Sequence, residues 1–402
     1  MRRVTGAFKA AGIIWGLCML YLVNLHAATK RYVVTNDDVK GPNTVTFYLA
    51  DGTSSAPKLT RFKTITTGGR GLGGGVFGMV RQILLDRGGD KCVFTADGGS
   101  SDVAGILFDT QKVVGNYRGS STDNGGTFGI GLALNPDNKY LYAAFSGSQT
   151  IATFAIGSGC TLTFNSDITA AGLNGGFPHG MSSRGSILVV AYGDGSISSF
   201  NILGGSPVSN NDLQLSTGYI KDHDFPDGVD ITGDGHFAIF GDASAGFSEV
   251  EVSDISSGKL TMTIKYGGPN GSLGRGLAAN NVRLSPDESL LYLSDNLSGQ
   301  VTATRFNKTK GTIRFDCISK PLRGYGTKWT YSSAIATELG FGTGSVLWVA
   351  EDGFGSSRSS IGIIKIGSKN GSCTLTESAK SPAADPKSPN LCWLNAFPQR
   401  PF

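Results

Sequence analysis

Residues 281–318, NVRLSPDESLLYLSDNLSGQVTATRFNKTKGTIRFDCI, predict four short β-strands in succession. The segments VRLS, LLYLSD, QVTATRF and TIRFDCI are rich in β-branched and aromatic residues, and Gly, Pro, Asn or Asp lies between them. This composition is typical of strands joined by turns. Because a single small sheet cannot bury both of its faces, such a unit needs copies of itself to stack against.

The second strand of this unit recurs along the chain, often followed by an acidic residue. The copies are YVVTND (from Tyr32), CVFTAD (Cys92), LYAAFS (Leu141), LVVAYG (Leu188), FAIFGD (Phe237), LYLSD (Leu291) and LWVAED (Leu347). Turns such as NPDNK and SPDES precede several of them. Seven units about 50 residues long predict an all-β fold, a seven-bladed β-propeller of four-stranded antiparallel blades. A pair of β-sandwiches is the alternative, but it does not explain a single regular period.

The two ends of the repeat region are complementary. The first blade begins directly with the second-strand pattern, so it lacks an innermost strand. Residues 390–397, NLCWLNAF, supply a strand pattern at the other end. We therefore expect this C-terminal strand to complete the first blade and close the ring, which removes an open sheet edge. Residues 28–402 are then one domain.

The first 27 residues differ in character from the rest. Arg2, Arg3 and Lys9 precede an apolar run over residues 10–25, and small residues follow it. This is the pattern of a cleaved secretory signal peptide. An uncleaved anchor is the alternative, but the run is short for spanning a bilayer. We expect a secreted or periplasmic monomer with no membrane span after cleavage.

Composition and cysteine placement exclude some functions. The net charge is only +4 and no basic stripe is interleaved with aromatic residues, so nucleic acid is not an expected partner. Three cysteines, Cys160, Cys317 and Cys373, fall in the fourth strands of different blades. Equivalent positions in separate blades are expected to point apart, so we predict packed thiols and not disulfides. No zinc-ligand spacing occurs, and neither a metal nor a cofactor is predicted.

One face of a propeller gathers the entries of the first strands and the exits of the second strands. Polar residues recur there and form the candidate site, in which Asp97, Asp194, Asp295, Asp352 and Asn296 are ligand-binding candidates and His179, Asp242 and Arg81 are catalytic candidates. Carboxylates around one opening would raise one another's pKa values, bind a cation or pair with an arginine. The alternative is that each Asp only caps the turn that follows it.

The YVVTND segment, the SPD and NPD turns and the closing SPNLCWLNAF segment resemble the lactonase-type seven-bladed propeller family, which has YVTN-type repeats. This family includes 6-phosphogluconolactonase-like and carboxymuconate-lactonizing proteins. The resemblance implies a catalytic His at the head of the fourth blade, which is His179 here. Where the family has Glu the chain has Asp242, and where it has Arg the chain has Asn296 and Leu297.

Two functions follow from these residues. The sequence favours an exported propeller that binds a ligand or partner at its central-channel face without lactonase chemistry, because the Arg and the Glu of the family are missing. The alternative is a lactone or sugar-acid hydrolase or lyase in which His179 is the general acid or base, Asp242 is its acidic partner and Arg81 holds a carboxylate. The expected partner is a small lactone or sugar acid, or an extracellular protein or polymer.

Overall fold

A six-residue turn joins the first and second strands of several repeats. In the opening stretch the N–H group of Ser285 donates to the carbonyl of Leu290 over 2.7 Å. Glu288 takes a positive φ of 59° inside this turn. Hydrogen bonds of the same span close residues 135–140 and 232–237. The SPD and NPD sequences therefore build the hairpins that the sequence predicts.

The structure, a computed structural model, describes residues 31–53, 56–73, 83–85, 92–215, 226–242, 249–256, 258–267, 279–295, 298–323, 335–341, 346–352, 359–384 and 393–397. The predicted signal peptide and the candidates Arg81 and Asn296 lie outside these ranges. No helix of the described ranges has the length and apolar character that crossing a bilayer requires.

The strands form seven antiparallel sheets, which are the seven blades. The first two blades contain β1 (Arg31–Asn36), β2 (Gly41–Thr53), β3 (Ala56–Gly71); β4 (Ile83–Leu85), β5 (Cys92–Asp97), β6 (Asp102–Leu107) and β7 (Lys112–Tyr117). Blades three and four contain β8 (Ile130–Leu134), β9 (Tyr140–Phe145), β10 (Thr150–Ile156), β11 (Leu162–Thr169); β12 (Pro178–Arg184), β13 (Ile187–Tyr192), β14 (Ser196–Leu203), β15 (Ser206–Ser209) and β16 (Gln214–Leu215). Blades five and six contain β17 (Pro226–Ile231), β18 (Phe237–Asp242), β19 (Glu249–Ser256), β20 (Lys259–Gly267); β21 (Ala279–Leu284), β22 (Leu290–Asp295), β23 (Val301–Asn307) and β24 (Thr312–Ile318). Blade seven contains β25 (Ile335–Phe341), β26 (Val346–Asp352), β27 (Ser360–Lys369), β28 (Ser372–Glu377) and β29 (Ala383–Ala384), and β30 (Trp393–Phe397) returns to blade one.

The strands follow one another from the inside of each blade to the outside. In blades two to seven the first strand in sequence is the innermost. Blades four and seven each have a short fifth strand, β16 in blade four and β29 in blade seven. This strand pairs with the third strand of its blade, on the same edge as the fourth strand. The innermost strands contact one another in the order β4, β8, β12, β17, β21, β25, β30 and back to β4. These contacts close the ring and confirm the predicted seven-bladed propeller.

The C-terminal strand closes the first blade as the sequence predicts. Strand β30 pairs antiparallel with β1, with Tyr32 opposite Phe397 and Asn36 opposite Trp393. The sheet order of blade one is β3-β2-β1-β30, so the innermost strand comes from the other end of the chain. The first and last strands of the fold are thus neighbours in one sheet.

The apolar core is divided among the gaps between blades. Each of seven clusters combines buried residues from two neighbouring blades. In blade seven, for example, Leu347 and Val349 face blade six, whereas Trp348 and Ala350 face blade one. Because alternate residues of a strand point to opposite faces, each second strand is apolar on both sides, which explains its nearly continuous hydrophobic sequence.

Two disulfides link neighbouring blades, so the prediction of unpaired thiols is wrong for Cys160, Cys317 and Cys373. Cys92 of blade two bonds to Cys160 of blade three, and Cys317 of blade six bonds to Cys373 of blade seven. The Cα atoms are 5.5 and 5.7 Å apart, within the range for disulfides. The paired positions are not equivalent in their blades. Cys92 begins a second strand, and Cys317 lies at the end of β24 whereas Cys373 lies at the start of β28, so the argument from equivalent positions does not apply.

Candidate functional site

A β-bulge recurs at the entry of the innermost strand in four consecutive blades. In blade four Pro178 pairs with Tyr192 and Gly180 with Ala191, which leaves His179 as the extra residue. The extra residues of the next three blades fall at Asp227–Gly228, Asn280 and Thr337–Glu338. The innermost strand of blade three pairs regularly with β9. Bulges re-aim a side chain and occur often beside active sites. Blades four to seven therefore have a bulged innermost strand, which blade three lacks. A polar residue lies at each of these four bulges.

The predicted acidic residues of blades five to seven lie at the same end of their sheets as these bulges. Asp242, Asp295 and Asp352 are the last residues of β18, β22 and β26. They pair with the first residues of the innermost strands, which are Pro226, Ala279 and Ile335. The backbone thus brings His179 and these three acids to one end of neighbouring sheets. Their side chains are outside the part of the structure that is described, so their ligand contacts stay predictions.

Asp97 connects two neighbouring blades through its buried side chain. Its side chain is fully buried. Oδ1 accepts hydrogen bonds from Asn43 Nδ2 over 2.7 Å and from Thr67 Oγ1 over 2.9 Å, and both donors belong to blade one. Asn116 Nδ2 donates to Oδ2 over 3.1 Å. Burial raises the pKa of Asp97 to about 7, and Asp102 beside it adds to the increase. These hydrogen bonds join blade two to blade one, and a ligand contact of Asp97 stays a prediction.

Asp194 holds the segment that leads into His179. Oδ2 accepts the N–H groups of Asn174 over 2.7 Å and of Gly176 over 3.1 Å. Oδ1 accepts the hydroxyl of Ser196 over 2.5 Å. Partial burial raises the pKa of Asp194, but these hydrogen bonds outweigh burial and hold it below its ordinary value. The carboxylate fixes the link before β12, and a direct contact with a ligand stays a prediction.

The described acids Asp97 and Asp194 are held by contacts within the protein. Within the described ranges, no group of three or more His, Cys, Asp or Glu side chains is placed to hold a metal ion. Asp97 bonds to side chains of blade one, and Asp194 bonds to the backbone of the link before β12.

Comparison with known proteins shows the family to which this chain belongs. A family model described as lactonase, seven-bladed β-propeller, matches residues 130–391. The chain belongs to this lactonase family. The match begins at the innermost strand of blade three and includes all four bulges. A comparison with curated proteins finds no match.

Solved structures share the fold of this lactonase-family chain. A candidate 6-phosphogluconolactonase from Bacteroides uniformis superimposes with a TM-score of 0.64 at 13% identity, covering 91% of this chain and 99% of that one. The periplasmic gluconolactonase of Pseudomonas aeruginosa gives a TM-score of 0.62 at 15% identity, covering 88% and 98%. A candidate 6-phosphogluconolactonase from Bacteroides fragilis gives 0.60 at 16% identity, covering 92% and 98%. At these identities the likeness concerns the fold.

Glu351 of this lactonase-family chain is a buried acid that the sequence analysis missed. Glu351 is the last residue of β26 to pair with β27, opposite Ser360, just as Asp97 is the last residue of β5 to pair with β6. The sequence pattern points to the neighbouring Asp352, which ends the LWVAED segment. The alternation of side chains along β26 would have identified Glu351 as a buried residue, because Leu347, Val349 and Glu351 share the face toward blade six.

The environment of Glu351 favours the protonated carboxyl. Its side chain is 1% exposed, and the hydroxyl of Ser360 donates to Oε2. Oε1 has no hydrogen-bond partner among the described residues. Burial raises the pKa of Glu351 to about 8, and Glu377 adds to the increase while Arg323 opposes it. A neutral carboxyl therefore lies between blades six and seven at neutral pH.

We expect the fold to lose stability as the pH rises, in part because of Glu351. Between the ordinary pKa of 4.5 and about 8, the folded chain holds this proton and the unfolded chain does not, so the free energy of unfolding falls with rising pH. Glu351→Gln should raise the melting temperature at pH 8, by roughly 2–4 °C for each kcal/mol regained. It should also flatten the decline between pH 5 and pH 8 in a thermal melt followed by circular dichroism.

The exposed Asp109 gives a matched control for this substitution. Asp109→Asn removes a carboxylate from the surface, so its melting temperature should follow that of the wild type at each pH. Equal pH dependence of Glu351→Gln and the wild type would show that the carboxyl of Glu351 ionises normally in the folded protein.

Proposed function

We propose that this chain hydrolyses the lactone of a sugar acid at the face where its innermost strands are bulged. The observation that carries the proposal is the position of His179, the extra residue at the entry of β12, inside the segment matched by the lactonase family model. Three further bulges place Asp227, Asn280 and Glu338 at the same end of the next innermost strands. A histidine with polar residues at the same end of neighbouring blades is a suitable arrangement for proton transfer.

The proposed reaction needs one base and one water molecule. Neutral His179 takes a proton from water as the water oxygen bonds to the lactone carbonyl carbon. The bond from this carbon to the ring oxygen then breaks, and the imidazolium returns its proton to the leaving alkoxide. The products balance as one hydroxy acid for each lactone and water consumed. Asp242, at the same end of the neighbouring blade, is proposed to orient the imidazole, and Arg81 to hold an anionic group of the substrate.

Binding without turnover is the second candidate. The sequence favours it because Asp242 stands where the family has Glu, and Asn296 where it has Arg. A protein of this kind would recognise a lactone, a sugar acid or an extracellular polymer at the same face, but would leave the ring intact.

We also propose that the protein works outside the cytoplasm. The disulfides Cys92–Cys160 and Cys317–Cys373 support this location, because structural disulfides persist in oxidising compartments. The predicted signal peptide over residues 1–27 points the same way.

Acid release from a lactone panel separates the two functions. The purified protein is mixed with glucono-1,5-lactone or 6-phosphogluconolactone in a pH-stat, and the spontaneous rate is subtracted. We expect one equivalent of acid per lactone, released at a rate proportional to protein concentration. A rise in melting temperature with the lactone but no acid above the spontaneous rate would support the binding-only function. If no lactone caused acid release or a rise in melting temperature, both lactone hydrolysis and lactone binding would be contradicted.

A further inference from the structure

A stacked pair of aromatic rings, of which Phe128 is exposed and Phe177 is half-buried against the core, lies beside the bulge of His179. The rings of Phe128 and Phe177 have centroids 4.4 Å apart and planes 15° apart. Phe177 directly precedes β12, and Phe128 lies two residues before β8. Both rings are therefore at the entries of adjacent innermost strands, at the same end of the blades as His179.

The Phe177 side of the pair is rigidly positioned. The carbonyl of Phe177 accepts the N–H of Gly193 over 3.0 Å. A Cβ atom at Gly193 would lie 2.8 Å from the Phe177 ring, so glycine is needed for this close approach. Asp194 fixes the preceding turn through Asn174 and Gly176. The ring thus occupies a set position before any ligand arrives.

The Phe128 side is also held by its backbone. The N–H of Gly129 donates to the carbonyl of Gly125 over 2.8 Å, and the N–H of Gly147 donates to the carbonyl of Asn124 over 2.8 Å. Even so, Phe128 leaves 38% of its surface exposed. Burying apolar surface contributes about 25 cal/mol of free energy for each Å². The link before β8 leaves part of the Phe128 ring unburied, and a bound ligand would gain this free energy by covering it.

We propose that Phe128 and Phe177 form a platform on which the ring of the lactone substrate stacks. The face of an aromatic ring carries partial negative charge. The C–H groups on one side of a sugar ring have weakly positive hydrogen atoms and are less polar than its hydroxyl groups, so this side of the sugar can stack on the aromatic ring. Exposed polar residues on the same two links, Asn124, Thr127 and Asn174, are of the type that binds the hydroxyl groups at the rim. The platform rests on the proposed function in that it holds the lactone beside His179. It extends that function by assigning the substrate class, a ring with one apolar face.

The test compares Phe128→Ala with Phe164→Ala. Phe164 is also 38% exposed, but it lies on the outermost strand of blade three, away from the innermost strands. For Phe128→Ala we expect KM for glucono-1,5-lactone to rise about tenfold, the equivalent of one lost aromatic contact, with kcat within twofold of the wild type. Phe164→Ala should leave both constants unchanged. Phe128→Tyr, which keeps an aromatic ring at this position, should have the KM of the wild type.

A non-hydrolysable ligand separates this proposal from the reaction itself. The lactam analogue of glucono-1,5-lactone has the same ring and is bound without turnover, so its Kd can be measured by calorimetry. A Kd about tenfold weaker in Phe128→Ala supports the platform, even if no lactone is hydrolysed and the proposed reaction fails. An equal Kd in Phe128→Ala and the wild type, or no lactam binding by the wild type, would overturn the platform. Concentration-dependent dimerisation that Phe128→Ala abolishes would assign the rings to self-association and overturn it as well.

Discussion

Deletion of residues 391–402 is expected to abolish the cooperative unfolding transition of the whole protein. Strand β30 pairs with β1 over five residue pairs and contacts the innermost strands of blades two and seven, β4 and β25. Without it, blade one keeps an open inner edge and the ring loses its closure, so every interblade core near the gap is exposed to water. Such an edge also invites aggregation. A loss confined to the chain terminus is not expected.

Near-ultraviolet circular dichroism and a thermal melt measure this effect. The truncated chain should lose its near-ultraviolet signal and its sharp transition, and should elute as aggregates in size-exclusion chromatography. Deletion of residues 398–402 alone, which retains β30, is the matched control and should melt as the full chain does. A truncated chain that melts at the temperature of the full chain would show that β30 does not close the ring.

Removal of both disulfides is expected to have the second-largest effect. The bonds join residues separated by 68 and 56 positions in sequence. Loops of this size restrict the unfolded chain enough to contribute about 4 kcal/mol each in the chain-entropy model. Replacing all four cysteines by Ser should therefore lower the free energy of unfolding by roughly 8 kcal/mol, which is comparable with the whole stability of many domains.

Chemical unfolding with and without a reducing agent measures this contribution. The wild type should lose stability when reductant is added, and each variant with one pair replaced should lose about half of the total. The variant with both pairs replaced is the internal control, because reductant should not change it. Reductant that leaves the unfolding midpoint of the wild type unchanged would show that the disulfides do not stabilise the fold.

The fold could be predicted from the sequence because its determinants are local and repeated. The hairpin around Ser285 and Glu288 needs only a short turn sequence, and the apolar second strands recur with a visible period. Closure by residues 393–397 followed from counting strands in the first blade. These features depend on propensity and alternation, which are properties of the chain itself.

The site was less predictable because it depends on register and on contacts between blades. A bulge such as the one at His179 adds one residue to an innermost strand, and links of variable length conceal that addition in the sequence. Asp97 and Glu351 occupy equivalent positions facing the preceding blade, and only the pairing partners Asp102 and Ser360 establish that equivalence. The disulfides were missed for the same reason, since Cys92 and Cys160 take different positions in their blades.

The most direct test of the account measures lactone hydrolysis by the His179→Ala and His236→Ala variants. His236 is half exposed in the turn between the first two strands of blade five, 3.4 Å from Asp254, at the opposite end of its blade from Asp242. We expect His179→Ala to lower kcat/KM for glucono-1,5-lactone by about 100-fold or more, the contribution of a general base, while His236→Ala stays within twofold of the wild type. Equal hydrolysis by His179→Ala and the wild type would contradict the assignment of the reaction to this face.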